Sequence, residues 1–231
     1  MIMNRNITNK INYFLDNIVP PALRDSRFFT KLMFRLALGK KYKAYMRFKE
    51  EVPRLSEDQI SAYYSELADT FMDRDTDING PCLERIRKDV KGTNILDIAT
   101  GRGYLAKLLY GDDRDRRVVG ADVVLPEPAE GVEFVRTSIT SLPFADGEFD
   151  TVICAHTLEH IVDIGKAVSE LRRVCGGRLI VVLPKQREYK YTFDLHVHFF
   201  PYLYNVESLL GTSGTTEKLG GDWYYIEDIR S

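Results

Sequence analysis

The sequence predicts a doubly wound, mostly parallel α/β sheet that carries an α-helical N-terminal extension. Three observations predict it. From Thr93 onward, short apolar strands alternate with helical segments. Those strands are apolar along their whole length, the pattern of a parallel sheet covered by helices on both faces. Residues 1–56 show no such alternation.

The extension comes first. Pro20-Pro21 interrupts it once. Between Arg24 and Lys49 stand nine Lys/Arg and a single acid, Asp25, interleaved with Phe28, Phe29, Leu32, Phe34, Leu36 and Tyr45. This spacing predicts one or two amphipathic helices broken near Gly39. Ser56 and Gln59 form a capping-box pattern that opens a helix. Ile60, Tyr63, Tyr64, Leu67 and Phe71 follow on one helical face. Gly80-Pro81 restarts the chain, with Pro81 in the first turn of another helix. The expected division is therefore a helical extension or lid over residues 1–79 and an α/β domain over 80–231.

Within that domain the spacing predicts strands at 94–98, 117–122, 132–136, 149–155 and 178–183, with helices at 103–110 and 164–171. Asp163 is the expected cap of the second helix, and Gly176-Gly177 its expected stop. A short helix near 205–210 and two strands, 215–218 and 223–228, complete a seven-stranded sheet. Only Val123 to Gly131 joins the second and third strands, too short for a helical crossover, so a loop or single turn is expected there.

With 231 residues, the chain can bury one sizeable core plus an appendage. A net charge of −2 argues against a dedicated nucleic-acid binder. Cys82, Cys154 and Cys175 are odd in number and far apart, which excludes a disulfide framework and a zinc spacing and fits buried thiols in a cytoplasmic protein. No carboxylate–histidine cluster has ligand spacing, so no metal is implied. A signal peptide and a bilayer-spanning run are both missing from the sequence, and a cytoplasmic location is expected.

The chemistry gathers in Asp97-Ile98-Ala99-Thr100-Gly101-Arg102-Gly103, where a strand ends on a carboxylate, a small-residue loop follows and a helix begins. Glycines let the backbone approach a ligand closely, and the helix start offers free N–H groups. Roughly 20 residues later Asp122 ends the next strand, where a carboxylate can accept both hydroxyls of a ribose. Gly101 to Ala106 also satisfies a dinucleotide-binding spacing. Asp97 weighs against that reading: a carboxylate there would repel a pyrophosphate and attract an ammonium or sulfonium group.

On these residues, the chain from about 60 to 228 resembles a class I S-adenosylmethionine-dependent methyltransferase with a Rossmann-like seven-stranded sheet. Asp97 to Gly103 resembles the family's glycine motif, with Ala99 in place of its first glycine. Leu142 to Asp150 resembles the run before the fourth strand, Leu158-Glu159-His160 the triplet after it, and Val174 to Leu179 the lead into the fifth. Tyr63 to Asp69 resembles the tyrosine-bearing helix that covers the methionine end. The resemblance implies S-adenosyl-L-methionine as cofactor, S-adenosyl-L-homocysteine as product, and cofactor contacts from Asp97, Ala99, Thr100, Gly101, Gly103, Asp122 and Tyr64. The family's adenine-contacting acid falls on Ser138, so Ser138 and Ile139 are the expected adenine contacts.

Methyl transfer to oxygen or nitrogen often needs a base. His156, after the fourth strand, and His196, in a segment that resembles an acceptor-side stretch of related enzymes, are the candidates; His160 is expected to tie the strand end to its helix. Lys185, Arg187 and Lys190 would suit an acidic or phosphorylated acceptor. The expected reaction is O-methylation of a small molecule or glycan, lipid-linked or phosphorylated acceptors included. The rivals are a catalytically silent cofactor-binding or sensor protein and an NAD-dependent oxidoreductase. The basic, aromatic stretch 24–49 reads either as a lid or dimer contact, or as a peripheral contact with the inner membrane surface. The expected assembly is a monomer or homodimer, with no nucleic-acid partner.

Overall fold

The structure is a computed structural model, and it describes residues 18–56, 59–60, 62–63, 75–191 and 194–229. The chain divides into two compact units, Met1–Asp75 with Arg187–Val197, and Thr76–Gln186 with His198–Ser231. This differs from the expected boundary after residue 79 in two ways. The first break falls at residue 75, and Arg187–Val197 goes with the helices. The physical reason for the second is visible in the helical unit. Arg24 donates to the Glu188 carbonyl at 3.2 Å and lies over the Tyr189 ring at 4.7 Å. Lys49 Nζ donates to the Tyr189 carbonyl at 2.8 Å.

The helical unit contains α1 (Pro21–Arg24), α2 (Arg27–Leu38) and α3 (Tyr42–Glu51). The helical run breaks at Gly39, as the sequence suggests, because Gly39 leaves the helix with φ +56°. Phe34 and Leu38 from α2 meet Tyr45 and Phe48 from α3, with Val52 and Leu195, in this unit's own core. Ser56 and Gln59 exchange both capping-box hydrogen bonds.

The α/β unit is built on a seven-stranded sheet of order β3-β2-β1-β4-β5-β7-β6. Its strands are β1 (Asn94–Ile98), β2 (Arg117–Asp122), β3 (Val132–Arg136), β4 (Phe149–Ala155), β5 (Cys175–Pro184), β6 (Thr215–Leu219) and β7 (Asp222–Asp228). β1 to β5 are parallel; β7 runs antiparallel to β5 and β6 antiparallel to β7. The helices are α4 (Gly80–Asp89), α5 (Tyr104–Asp112), α6 (Ile164–Val174) and α7 (Leu203–Leu210). Successive strand residues face opposite sides, and each side meets its own helices. Ile95, Val118, Ile153 and Ile180 pack with Cys82 and Ile86 of α4 and Leu105, Ala106 and Leu109 of α5. Leu96, Val119, Val152 and Val181 pack with Val168 and Leu171 of α6 and Val206 and Leu210 of α7.

Asp163 caps α6 through the Lys166 N–H at 3.1 Å. Gly176-Gly177 does not stop that helix in a turn; both glycines belong to β5. A Cβ at Gly176 would lie 2.5 Å from the Gly147 carbonyl oxygen, and one at Gly177 2.4 Å from that of Asp150, so the close approach of β5 to the start of β4 requires glycine. No helix forms between β2 and β3. No described helix is long and apolar enough to cross a membrane.

Candidate functional site

The site lies in the α/β unit, at the carboxyl ends of β1, β2 and β4, where the strand order reverses on either side of β1. β1 delivers Asp97, which is 3% exposed, and its carboxylate accepts a hydrogen bond from Thr100 Oγ1 at 2.6 Å. The loop after it turns through Ala99 at φ +55°, a left-handed conformation, held by Ala99 N–H to the Ala121 carbonyl at 2.7 Å. Gly103 ends the loop as the N-cap of α5 at φ +72°. A Cβ there would strike the Phe134 ring at 2.7 Å, so neither the backbone nor the space admits a larger residue. Gly101, by contrast, has nothing within 4 Å of the place a Cβ would take. Its N–H donates to Asp122 Oδ2 at 2.9 Å, which ties the loop to the end of β2. Val124 N–H donates to the other Asp122 oxygen at 3.0 Å.

The electrostatics of the pair are unusual. Burial pushes Asp97 up to about 7, against the Thr100 hydrogen bond, and the Asp122 charge adds to the rise. Burial also raises Asp122, against backbone donors from Val124, Gly101 and Val123. Neither acid is lowered by a neighbouring cation among the described residues. Two desolvated carboxylates with no positive partner favour a cationic ligand. Gly101 and Val124 donate to opposite Asp122 oxygens, and an ionised carboxylate has about four lone-pair sites, so capacity for further donors remains.

Beyond β3, Ser138 Oγ and Thr140 Oγ1 share a hydrogen bond at 2.9 Å, and Ile139 is buried between them. The following run is fixed from α6. Glu170 accepts from the Leu142 N–H, and Arg173 donates to the Leu142 and Phe144 carbonyls. Asp150 accepts the N–H groups of Thr93 and Asn94 at 2.8 Å, joining β4 to the start of β1.

A second cluster stands at the end of β4. His156 follows the strand at φ +51°, its N–H bonded to the Val182 carbonyl. Its Nε2 lies 3.2 Å from Asp222 Oδ2, at the start of β7, and its Nδ1 3.7 Å from Glu159 Oε1. Asn79, the N-cap of α4, donates to the same Asp222 oxygen at 2.7 Å. Glu159 is fully buried, and its carboxylate oxygens accept no hydrogen bond from the described residues. Burial pulls His156 down, but Asp222 and Glu159 outweigh it and lift the imidazole to about 10. At neutral pH it is a cation with both ring nitrogens turned to carboxylates, and it offers no lone pair to a substrate proton.

The structure thus brings Asp97, Thr100, Gly101, Gly103 and Asp122 into one bracket, with Ala99 shaping the loop between them. It sets His156 in a separate charged cluster. His196 belongs to the helical unit, beside Leu195 of that unit's core. Tyr64 lies outside the described residues. His160 N–H bonds the Thr157 carbonyl in the turn after β4. His198 ties the chain to that turn, through its N–H to Glu159 and its ring to the Ile161 carbonyl at 2.9 Å. Lys185 stands over the Trp223 ring at 5.8 Å, whereas Arg187 and Lys190 belong to the helical unit. Sequence reasoning missed Asn79 and Asp222, and it placed Glu159 in its triplet without giving the side chain a role. The Gly220-Gly221-Asp222 turn was the available signal for Asp222.

Residues 96–181 match the sequence model of a methyltransferase domain family. Within the α/β unit, residues 96–181 form a methyltransferase domain of the class I, S-adenosylmethionine-dependent type. Its matched stretch is similar to the demethylmenaquinone methyltransferase of Thermus thermophilus, 41% identical over 100 residues that cover 38% of this chain and 46% of that protein. It is also similar to the demethylmenaquinone methyltransferase of Bacteroides fragilis, 31% identical over 109 residues, 41% of this chain and 44% of that protein. The chain thus spans less than half the length of these curated relatives. Among solved structures, the fold is similar to the 1,6-didemethyltoxoflavin-N1-methyltransferase of Burkholderia thailandensis, with a TM-score of 0.56 at 16% identity over 75% of this chain and 88% of that one. It is likewise similar to a SAM-dependent methyltransferase from Aquifex aeolicus, with a TM-score of 0.52 at 19% identity over 76% and 99%. The cofactor of the methyltransferase domain is S-adenosylmethionine, and the residues present fit it: a buried acid, Asp97, and a half-buried one, Asp122, neither with a cation beside it among the described residues, suit its positive charge and ribose, and Gly101 leaves an open backbone for close approach.

Proposed function

We propose that this protein transfers a methyl group from S-adenosylmethionine to a small-molecule acceptor. The observation that carries the reading is the acid bracket of Asp97 and Asp122 around the open Gly101 loop. When bound, the cofactor supplies a methyl group on a positively charged sulfur. Asp97 attracts its ammonium end, Asp122 accepts the ribose hydroxyls, and Ser138 and Ile139 meet the adenine. The site mainly positions the reactants, which is where the protein's contribution to such a displacement lies.

For the acceptor we infer a quinol-like aromatic ring, methylated at carbon. Two observations support this over methylation of a glycan hydroxyl. His156, the histidine nearest in sequence to the cofactor strands, is held between two carboxylates, so an acceptor that ionises by itself suits this site better than an alcohol that needs a base. The relatives that share the matched stretch are named for demethylmenaquinone methylation. A glycan hydroxyl would leave His196 as the candidate base.

The test is transfer of a tritiated methyl group from S-adenosylmethionine to a panel containing reduced demethylated naphthoquinones and oligosaccharides. Label on a quinol ring carbon is the expected result. Label on a glycan oxygen, lost in His196→Gln, overturns the acceptor. Tight S-adenosylhomocysteine binding without transfer to any acceptor marks a silent binding protein and overturns the activity.

A further inference from the structure

The helical unit carries a face that its own core does not use. On α2, Thr30, Phe34 and Leu38 are buried, and they follow one another at four-residue spacing. A second row at the same spacing is open: Phe28 is 81% exposed, Leu32 51% and Leu36 79%. These three side chains run along about 12 Å of helix. A third row, Arg27, Lys31 and Arg35, lies one residue earlier and is exposed throughout, so a line of cations borders the line of apolar groups. The pattern extends beyond the helix. Ile18 and Leu23 are exposed ahead of it, and Lys40 and Lys43 after it. Isolated exposed leucines are ordinary, but a contiguous apolar row with a basic border marks an interaction surface.

From this geometry we infer that the Phe28–Leu32–Leu36 face docks the protein on an anionic lipid surface. Charge decides between the occupants. A second copy of the chain would meet this face across a twofold axis and bring two rows of arginine and lysine against each other, with Asp25 the only acid between Arg24 and Lys49. Anionic headgroups instead complement the basic row, while the apolar row enters the boundary between headgroups and acyl chains. The chain as a whole carries −2, so the positive charge of this stretch is local, and the docking surface is directional. The inference stands apart from the acceptor: it holds whatever molecule is methylated.

The experiment is flotation of the full-length protein with vesicles of phosphatidylcholine alone and of phosphatidylcholine mixed with phosphatidylglycerol, at low and high salt. Binding is expected only to the mixed vesicles, weakened by salt. Arg27→Gln/Lys31→Gln/Arg35→Gln is expected to weaken it about five-fold per residue, on the order of 100-fold together. Phe28→Ser/Leu32→Ser/Leu36→Ser, at exposed positions outside the core, should weaken it at least as much while leaving the unfolding temperature and S-adenosylhomocysteine affinity unchanged. Equal binding to neutral vesicles, no binding to either, or full binding by both variants overturns the proposal. So does a dimer in sedimentation equilibrium that the serine variant dissociates.

Discussion

Two pairs of acids stand at the same edge of the sheet, and only one of them already faces a cation. Asp222 and Glu159 hold the His156 imidazolium between them, with Asn79 completing the Asp222 side. Asp97 and Asp122 have a threonine hydroxyl and backbone amides but, among the described residues, no cation. The first arrangement is a finished structural unit. The second stores a desolvation cost that a cationic ligand relieves. The chemistry of the site therefore follows less from which acids are present than from which of them lack a facing cation.

The largest expected effect comes from breaking the finished cluster. His156→Ala leaves the buried Glu159 carboxylate and the half-buried Asp222 without their cation, and the α/β unit should lose about 3 kcal/mol of stability, read by urea unfolding at neutral pH. His156→Gln, which restores one donor, should recover part of it. A loss below about 0.5 kcal/mol would mean that the cluster is solvated and the comparison fails.

The opposite sign is expected in the open pair. Asp97→Asn removes a buried charge that burial disfavours and keeps an acceptor for Thr100, so the ligand-free protein should gain on the order of 2 kcal/mol near pH 7 and above. Thermal unfolding without ligand reads this directly. A destabilised variant would show that Asp97 has a cationic partner after all.

The pH dependence sharpens the same contrast. Asp97 is raised from 3.8 to about 7, so its cost is absent below about pH 4 and grows until about pH 7. His156 is raised from 6.5 to about 10, so its contribution is complete below about pH 6.5 and is lost as pH rises through about 10. Unfolding free energies of the wild type minus Asp97→Asn should fall across the lower window, and those of the wild type minus His156→Gln across the upper one. Coincident windows would contradict the separation of the two clusters.

A smaller effect tests the loop that joins the open pair. Gly103→Ala adds a Cβ against Phe134 at a left-handed position, and about 1–2 kcal/mol of stability should be lost. Unchanged stability would show that the loop is not pinned at the start of α5.

These two regions were unequally legible in the sequence. The open pair is written in a short stretch: Asp97, the glycine loop and Asp122 lie within two strands and one turn, and β1 to β4 begin and end where the alternation places them. The finished cluster was invisible because Asp222 is 66 positions from His156 and reaches it only through the antiparallel pairing of β7 with β5. Gly176-Gly177 looked like a helix stop because glycine at that place usually is one; only the neighbouring strand shows that the constraint is space. The transfer of residues 187–197 to the helical unit depends on Arg24 and Lys49 reaching their backbone carbonyls, contacts more than 100 positions long.

Calorimetric titration of the Asp97→Asn/Asp122→Asn protein with S-adenosylmethionine tests the role of the open pair most directly. With folding checked by circular dichroism, the affinity should fall on the order of 100-fold or more, since both the charge attraction and the charge-assisted hydrogen bonds are removed. A folded double variant that binds S-adenosylmethionine as tightly as the wild type would contradict it.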